Sequence, residues 1–268
     1  MNRRANDSSI LSSILGLCVT LLASTAWLTG CSQGAPDAQQ TAKAGSEAPA
    51  STRPPPNPEG NAYFGAVHVH TSWSFDAYIN GTKTTPQDAY DWAQGKEITN
   101  SGFGGKIQIQ TPLDFYMVSD HAEFMGAMSQ MSNPDSAIAK SKLGQSIASP
   151  DPVARMQTFA QILRDMSTGN VDPVLTDPAL ARTIWSEIVK TADANYHPGK
   201  FTTFAGFEWT SNPLKRNLHR VIVFRDTRHL PERVLSALDS EDPESLWKWM
   251  ELQRGSGSTL LAIPHTAN

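Results

Sequence analysis

His68 and His70 stand two residues apart at the close of an apolar run, Tyr63-Phe64-Gly65-Ala66-Val67-His68-Val69-His70. Side chains of a strand alternate between its two faces, so these imidazoles point the same way. Comparable placements recur along the chain. His121 follows Asp120 just after the run Leu113–Ser119, and Glu208 ends the run Phe201–Phe207. His219 opens Leu218–Phe224, and His265 closes Leu260–Pro264. Asp76 lies six residues beyond His70, in a segment that can return over the strand end. Several imidazoles and carboxylates buried separately would cost several kcal/mol in desolvation and frustrated hydrogen bonds. A shared divalent cation removes that cost. The pattern therefore demands a fold that gathers strand ends at one edge. A donor set of N and O without sulfur suits Zn, Mn or Fe rather than a structural zinc site.

The intervening segments read as helices. Thr85 is a good N-cap, with Pro86 at the first helical position and Asp88 in the first turn. Val153–Met166 also reads as helix. Leu180, Ile184, Trp185, Ile188, Val189 and Ala192 keep helical spacing and place an amphipathic helix over 178–195. Asp242 and Pro243 open a last helix that carries Leu246, Trp247, Met250 and Leu252. Strands alternating with helices predict an α/β layout with a largely parallel sheet, whose chemistry collects at the carboxyl ends of the strands. Residues 126–176 are polar, Met-dotted and irregular, and read as a surface insertion or a lid. Met117, Met125, Met128 and Met131 read as gap-fillers. His197 and His229 sit in turns and read as surface residues.

Composition narrows the partners. The chain is 39% hydrophobic, too apolar for a disordered one. Its net charge of -4 offers no cationic surplus for a phosphate backbone, so no nucleic acid is expected. Two cysteines, Cys18 and Cys31, exclude a disulfide framework and a Cys-rich zinc site.

The first sixty residues read as an address and a tether. Arg3 and Arg4 precede an apolar run from Ile10 to Trp27, the signature of a secretory signal. The run ends in Leu28-Thr29-Gly30-Cys31, which resembles a bacterial lipobox. That resemblance implies removal of residues 1–30 as a lipoprotein signal peptide and acylation of Cys31. The mature chain would lose two positive charges and one negative, moving the net charge from -4 to -5. Residues 31–60, with Pro54-Pro55-Pro56, cannot bury enough apolar surface to offset their ordering entropy and read as a disordered tether. A lipid anchor implies a membrane partner and a place on the periplasmic side of the cell envelope; Ser32 favours the outer membrane.

The residues at the strand ends also carry a family resemblance. His68-Val69-His70-Thr71-x-x-Ser74-x-Asp76 resembles the first motif of the PHP (polymerase and histidinol phosphatase) superfamily. Val118-Ser119-Asp120-His121 resembles its second, and Gly206-Phe207-Glu208-Trp209 its central glutamate motif. Asn217-Leu218-His219-Arg220 and Ile263-Pro264-His265 resemble the next two, in the same order. The pattern resembles that of a bacterial branch of uncharacterised secreted or lipoprotein PHP-like proteins. The resemblance spans residues 61–268 as a partial metallohydrolase domain. It implies a distorted seven-stranded β/α barrel of TIM-like type, incomplete at its C-terminus. It implies two or three divalent metals held by His68, His70, Asp76, His121, Glu208, His219 and His265, with Glu208 bridging two of them. Asp120 would orient His121 from behind. Arg220, with Lys83 and Arg216, would meet an anionic ester substrate.

The implied chemistry is hydrolysis of a phosphate ester by metal-activated water, with Glu208, Asp120 and Arg220 as the catalytic set. Gly-x-Ser-x-Gly and Walker patterns are absent from the sequence. Two other readings stay open: hydrolysis of a different bond, such as an amide, and an inactive metal- or ligand-binding lipoprotein. The sequence ends three residues past His265, and the family's closing Asp-x-His motif does not follow. The reading therefore expects a truncated domain.

Overall fold

The computed structural model describes residues 60–99, 104–213 and 217–265. The expected signal peptide, Cys31, nearly all of the tether, and Arg216 lie outside the described residues. Strand β1 (Gly65–Ala66) is far shorter than the run Tyr63–His70 led us to expect, and Tyr63 and Phe64 are exposed. Gly65 answers to close approach: a Cβ there would stand 2.1 Å from the Phe115 carbonyl oxygen. Helix α1 (Phe75–Ile79) follows, then α2 (Pro86–Ala93). Thr85 caps α2 as expected. Its hydroxyl accepts from the Asp88 N–H, and the Asp88 carboxylate accepts from the Thr85 N–H, a reciprocal capping box. A small antiparallel pair, β2 (Ile98–Thr99) and β3 (Lys106–Ile107), precedes β4 (Phe115–Tyr116).

Residues 126–176 form an ordered helical layer. It contains α3 (Ala137–Lys140), α4 (Lys142–Ile147) and α5 (Pro152–Thr168), capped by Ser136, Ser141 and Asp151. The layer shares a core with α1, in which Phe75 and Ile79 pack among Phe124, Met128, Ile138 and Ile162. Arg155 donates from Nε to the Ile79 carbonyl at 3.0 Å, closing the C-terminal end of α1. The insertion thus fixes the helix that carries Asp76.

Helix α6 (Pro178–Ala194) buries Ile184, Trp185, Ile188 and Ala192, four positions marked by their spacing. Then come β5 (Thr202–Thr203), β6 (Ala205–Ser211), β7 (Leu218–Phe224), α7 (Pro243–Gly255) and β8 (Leu260–His265). Strands β1, β4 and β5 pair in parallel in the order β1-β4-β5. Strands β6, β7 and β8 pair antiparallel in chain order. Backbone hydrogen bonds continue beyond the formal strands. The Met117 N–H donates to the Ala66 carbonyl and Ser119 to Val69, extending the β1–β4 pairing, while Glu208 donates to Asp120 and Ala122 to Glu208, joining the two sheets.

The expected seven-stranded barrel is not what forms. Among the described residues there is no closed barrel, and three of the five strand pairings are antiparallel. Residues 212–217 explain this. A parallel neighbour needs a crossover of about a dozen residues or more, whereas so short a link can only return the chain as a hairpin. One face of the antiparallel sheet buries Phe207, Trp209, Ile222 and Phe224 against Trp185 and Leu246. Met117 packs on the other side with Val221 and Val223.

Candidate metal centre

The antiparallel register builds half of the site. Thr210 on β6 lies opposite His219 on β7, which lies opposite His265 on β8. Directly opposed residues share a face, and Glu208 joins them two residues before Thr210. His219 lies near the start of β7 and His265 closes β8, whereas Glu208 sits in the middle of β6 rather than at the strand end expected from the sequence; the antiparallel register brings the three onto one face. The parallel half supplies the rest. His68 and His70 follow β1, Asp76 lies in the first turn of α1, and His121 lies beyond β4, bridged to Glu208.

Glu208, 1% exposed, is the hub. Its Oε2 stands 3.1 Å from His68 Nε2 and 2.8 Å from His70 Nε2. Its Oε1 stands 2.7 Å from His219 Nδ1 and 2.6 Å from His265 Nε2. The Thr210 hydroxyl donates to the same Oε1 at 3.2 Å. His121 Nε2 faces Asp76 Oδ2 at 3.5 Å. The Ser74 hydroxyl, wholly buried, donates to Asp76 Oδ1 at 2.6 Å and lies 2.9 Å from His70 Nδ1. The side chains thus form three overlapping groups: His68, His70 and Glu208; His70, Asp76 and His121; Glu208, His219 and His265. Within each, the donor atoms lie within 4.8 Å of one another. All seven residues marked as ligands in the sequence are brought together.

These groups fit a divalent ion. The Nε2 atoms of His68 and His70 stand 3.0 Å apart, and both approach Glu208 Oε2. Two ligands about 2.1 Å from one tetrahedral ion lie about 3.4 Å apart, so this spacing is close to that of a shared coordination shell. The site opens on one side: His68 is 39% exposed in its side chain, while His121 and Glu208 form the floor.

A family model described as "Protein of unknown function (DUF3604)" matches residues 57–268, every ligand candidate included. The chain belongs to the DUF3604 family. No curated protein matches it, and no solved structure does.

Charge in this DUF3604 site is set by burial working against pairing. Burial opposes ionisation of Glu208, but His219, His68 and His70 outweigh it and hold the carboxyl far below its usual range. Asp76 is likewise held low, against burial, by His121 and His70. Burial would lower His121, but Asp76 and Glu123 push it well above its ordinary value. His265 moves down, chiefly through burial, against the pull of Glu208.

Two expected roles look different in the structure. Asp120 reaches the His70 side of the site: its carboxylate accepts from the Thr71 N–H and the Thr71 hydroxyl, both at 2.6 Å. The carboxylate beside His121 Nδ1 is Glu123 Oε2, at 3.5 Å. Arg220 alternates with His219 and so occupies the opposite face of β7, where its guanidinium lies 5.9 Å from the centroid of the Trp247 ring. Lys83 stacks on the Tyr78 ring, 3.0 Å from its centroid. Sequence reasoning passed over Glu123 and assigned no role to Thr210 or to Ser74, which it placed only within the first motif. Thr210 was findable, being two residues from Glu208 on one strand. Glu123 left no such signal, because its partners Thr210 and Ala237 are 87 and 114 residues away.

Proposed function

We propose that this chain is a metal-dependent hydrolase acting on a small anionic ester, a phosphoester above all. The observation that carries the reading is the sharing of ligands: His70 belongs to two of the three groups, and so does Glu208. Adjacent ions that share ligands sit close enough to act on one substrate, as two-metal phosphoesterases require. Divalent ions held there supply Lewis acidity, a nucleophilic water near neutral pH, and charge neutralisation on a phosphoryl group.

The protein's own residues do the rest. Glu208 stays ionised beneath four imidazoles and presents one oxygen to each pair. Ser74 holds His70 and Asp76 in one arrangement through a single hydroxyl. The exposed side at His68 admits substrate, and burial keeps bulk water from Glu208. PHP-like motif order supports the same reading. The Leu28-Thr29-Gly30-Cys31 ending supports a lipid-anchored protein acting outside the cytoplasm.

The test joins metal analysis to an activity screen. The full chain, purified and supplied with Zn²⁺, Mn²⁺ or Fe²⁺, is expected to retain metal and release phosphate or alcohol from a phosphomonoester and phosphodiester panel. A protein that retains no metal refutes the reading. Metal retention without turnover on any phosphoester refutes the phosphoesterase part of it.

A further inference from the structure

Glu123 is a buried carboxylate, 1% exposed, to which neither the motif pattern nor the proposed reaction gives a part. Its contacts are specific. Oε1 accepts from the Ala237 N–H at 2.7 Å. Oε2 accepts from the Thr210 N–H at 3.2 Å and lies 3.5 Å from His121 Nδ1. The two N–H donors come from distant segments, the end of β6 and the link between β7 and α7. The carboxylate takes over where the backbone pairing of 120–122 with Glu208 stops.

We propose that Glu123 is the positioning residue of the His70, Asp76 and His121 group, holding His121 in the tautomer that can bind metal. The inference rests on the metal-site reading above. A neutral imidazole carries one N–H. With Nδ1–H directed at Glu123, the lone pair is left on Nε2, the atom that faces Asp76 Oδ2. His121 Nδ1 is buried and makes no hydrogen bond among the described residues; the Glu123 carboxylate is the acceptor that faces it, at ion-pair distance. Without the carboxylate, nothing there selects that tautomer. The Thr210 and Ala237 N–H groups keep Glu123 from rotating away, which also links the 234–239 segment to the metal floor.

The arrangement makes Glu123→Gln informative. Both carboxylate oxygens accept from backbone N–H groups, so a glutamine must turn its NH₂ toward one of them. Turned toward Thr210 and His121, it favours the opposite tautomer. Turned toward Ala237, it breaks the anchor.

The experiment uses the full chain, stripped of metal and titrated with Co²⁺ while visible absorption and bound metal are followed. For E123Q the expected result is a 10- to 100-fold weakening of one Co²⁺ equivalent, the size seen when an outer hydrogen-bond partner of a metal-bound histidine is lost. The absorption of that equivalent should change, and the other equivalents should bind as in wild type. Glu123→Asp, which keeps the charge but falls short by one methylene, should recover part of the affinity. E123Q that binds every equivalent like wild type with an unchanged spectrum overturns the inference. So does a fall in melting temperature alone, which would make Glu123 a backbone anchor only. Should E123Q not fold, E123D decides by the same two readouts. A wild-type chain that binds no Co²⁺ sinks the metal-site reading itself, and this inference with it.

Discussion

Replacing Asp120 with asparagine should stabilise the metal-free protein at alkaline pH. Asp120 is 2% exposed, and both of its oxygens accept from Thr71. Burial drives its carboxyl up from 3.8 to about 6, although the two Thr71 bonds pull the other way. A carboxyl raised on folding takes up a proton. Its contribution is fully present below about pH 4 and is lost as the pH rises through about 6. A rise of roughly two pKa units corresponds to about 3 kcal/mol. The asparagine side chain in D120N would imitate the protonated acid. Its oxygen accepts from the Thr71 N–H, and its amide donates to Thr71 Oγ1. D120N and wild type should therefore be nearly equal at pH 4, and D120N should be the more stable by up to about 3 kcal/mol at pH 8. Urea unfolding of the metal-stripped proteins at pH 4, 6 and 8 measures this directly. The difference between the two titrations isolates Asp120 from Asp76, Glu208 and His121. A wild type as stable as D120N at pH 8, or more so, would refute the account of Asp120 as a carboxylate held against its desolvation. Saturating Zn²⁺ should narrow the gap, because a cation beside His70 and His121 favours the ionised acid.

Shared ligands set different stoichiometries for single substitutions. Glu208→Ala touches two of the three groups and should lower bound metal more than Asp76→Ala, which touches one; equal losses would argue against shared coordination. Phe75→Ala removes a ring, 4% exposed, that stands 5.2 Å from His121 and 5.1 Å from Phe124. It should cost about 3–5 kcal/mol in urea unfolding and also weaken metal binding, since α1 loses its hold on the helical layer. Thr85→Ala breaks the capping box of α2 and should cost about 1 kcal/mol while leaving metal stoichiometry intact, which calorimetry and metal analysis would check together.

Local chemistry was the legible part. Thr85 with Pro86 and Asp88, and Asp242 with Pro243, mark helix starts through side chains only a few residues away. The spacing of Ile184, Trp185, Ile188 and Ala192 revealed a buried helix face. Leu218–Phe224 was readable as a strand to the residue. Six of the seven ligand candidates were readable because each stands at or near the edge of an apolar run in the sequence, and Asp76 because it follows His70 closely enough to return over it. Strand direction was not, since nothing in Leu218–Phe224 states whether its neighbour runs with it or against it. The shortness of the 212–217 link, which decides the matter, carries no motif. Polar, irregular-looking 126–176 concealed a core because its apolar residues are spread over short helices. The partners of Glu123 and Asp120 are fixed only when distant segments meet.

His68 follows the first strand and His265 closes the last, yet their rings lie 4.0 Å apart, and both touch a glutamate from a strand between them. The three are separated by 140 and 57 residues of chain. A cation bound there is also a cross-link, and it acts on the unfolded chain as a staple does. Closing loops of such lengths removes on the order of 4 kcal/mol of chain entropy apiece in simple polymer terms. No local segment can assemble this site early, so ion capture has to wait for the longest-range contacts in the molecule. Affinity for the ion and resistance to unfolding then become one quantity, and a chelator should act on this protein as a denaturant does.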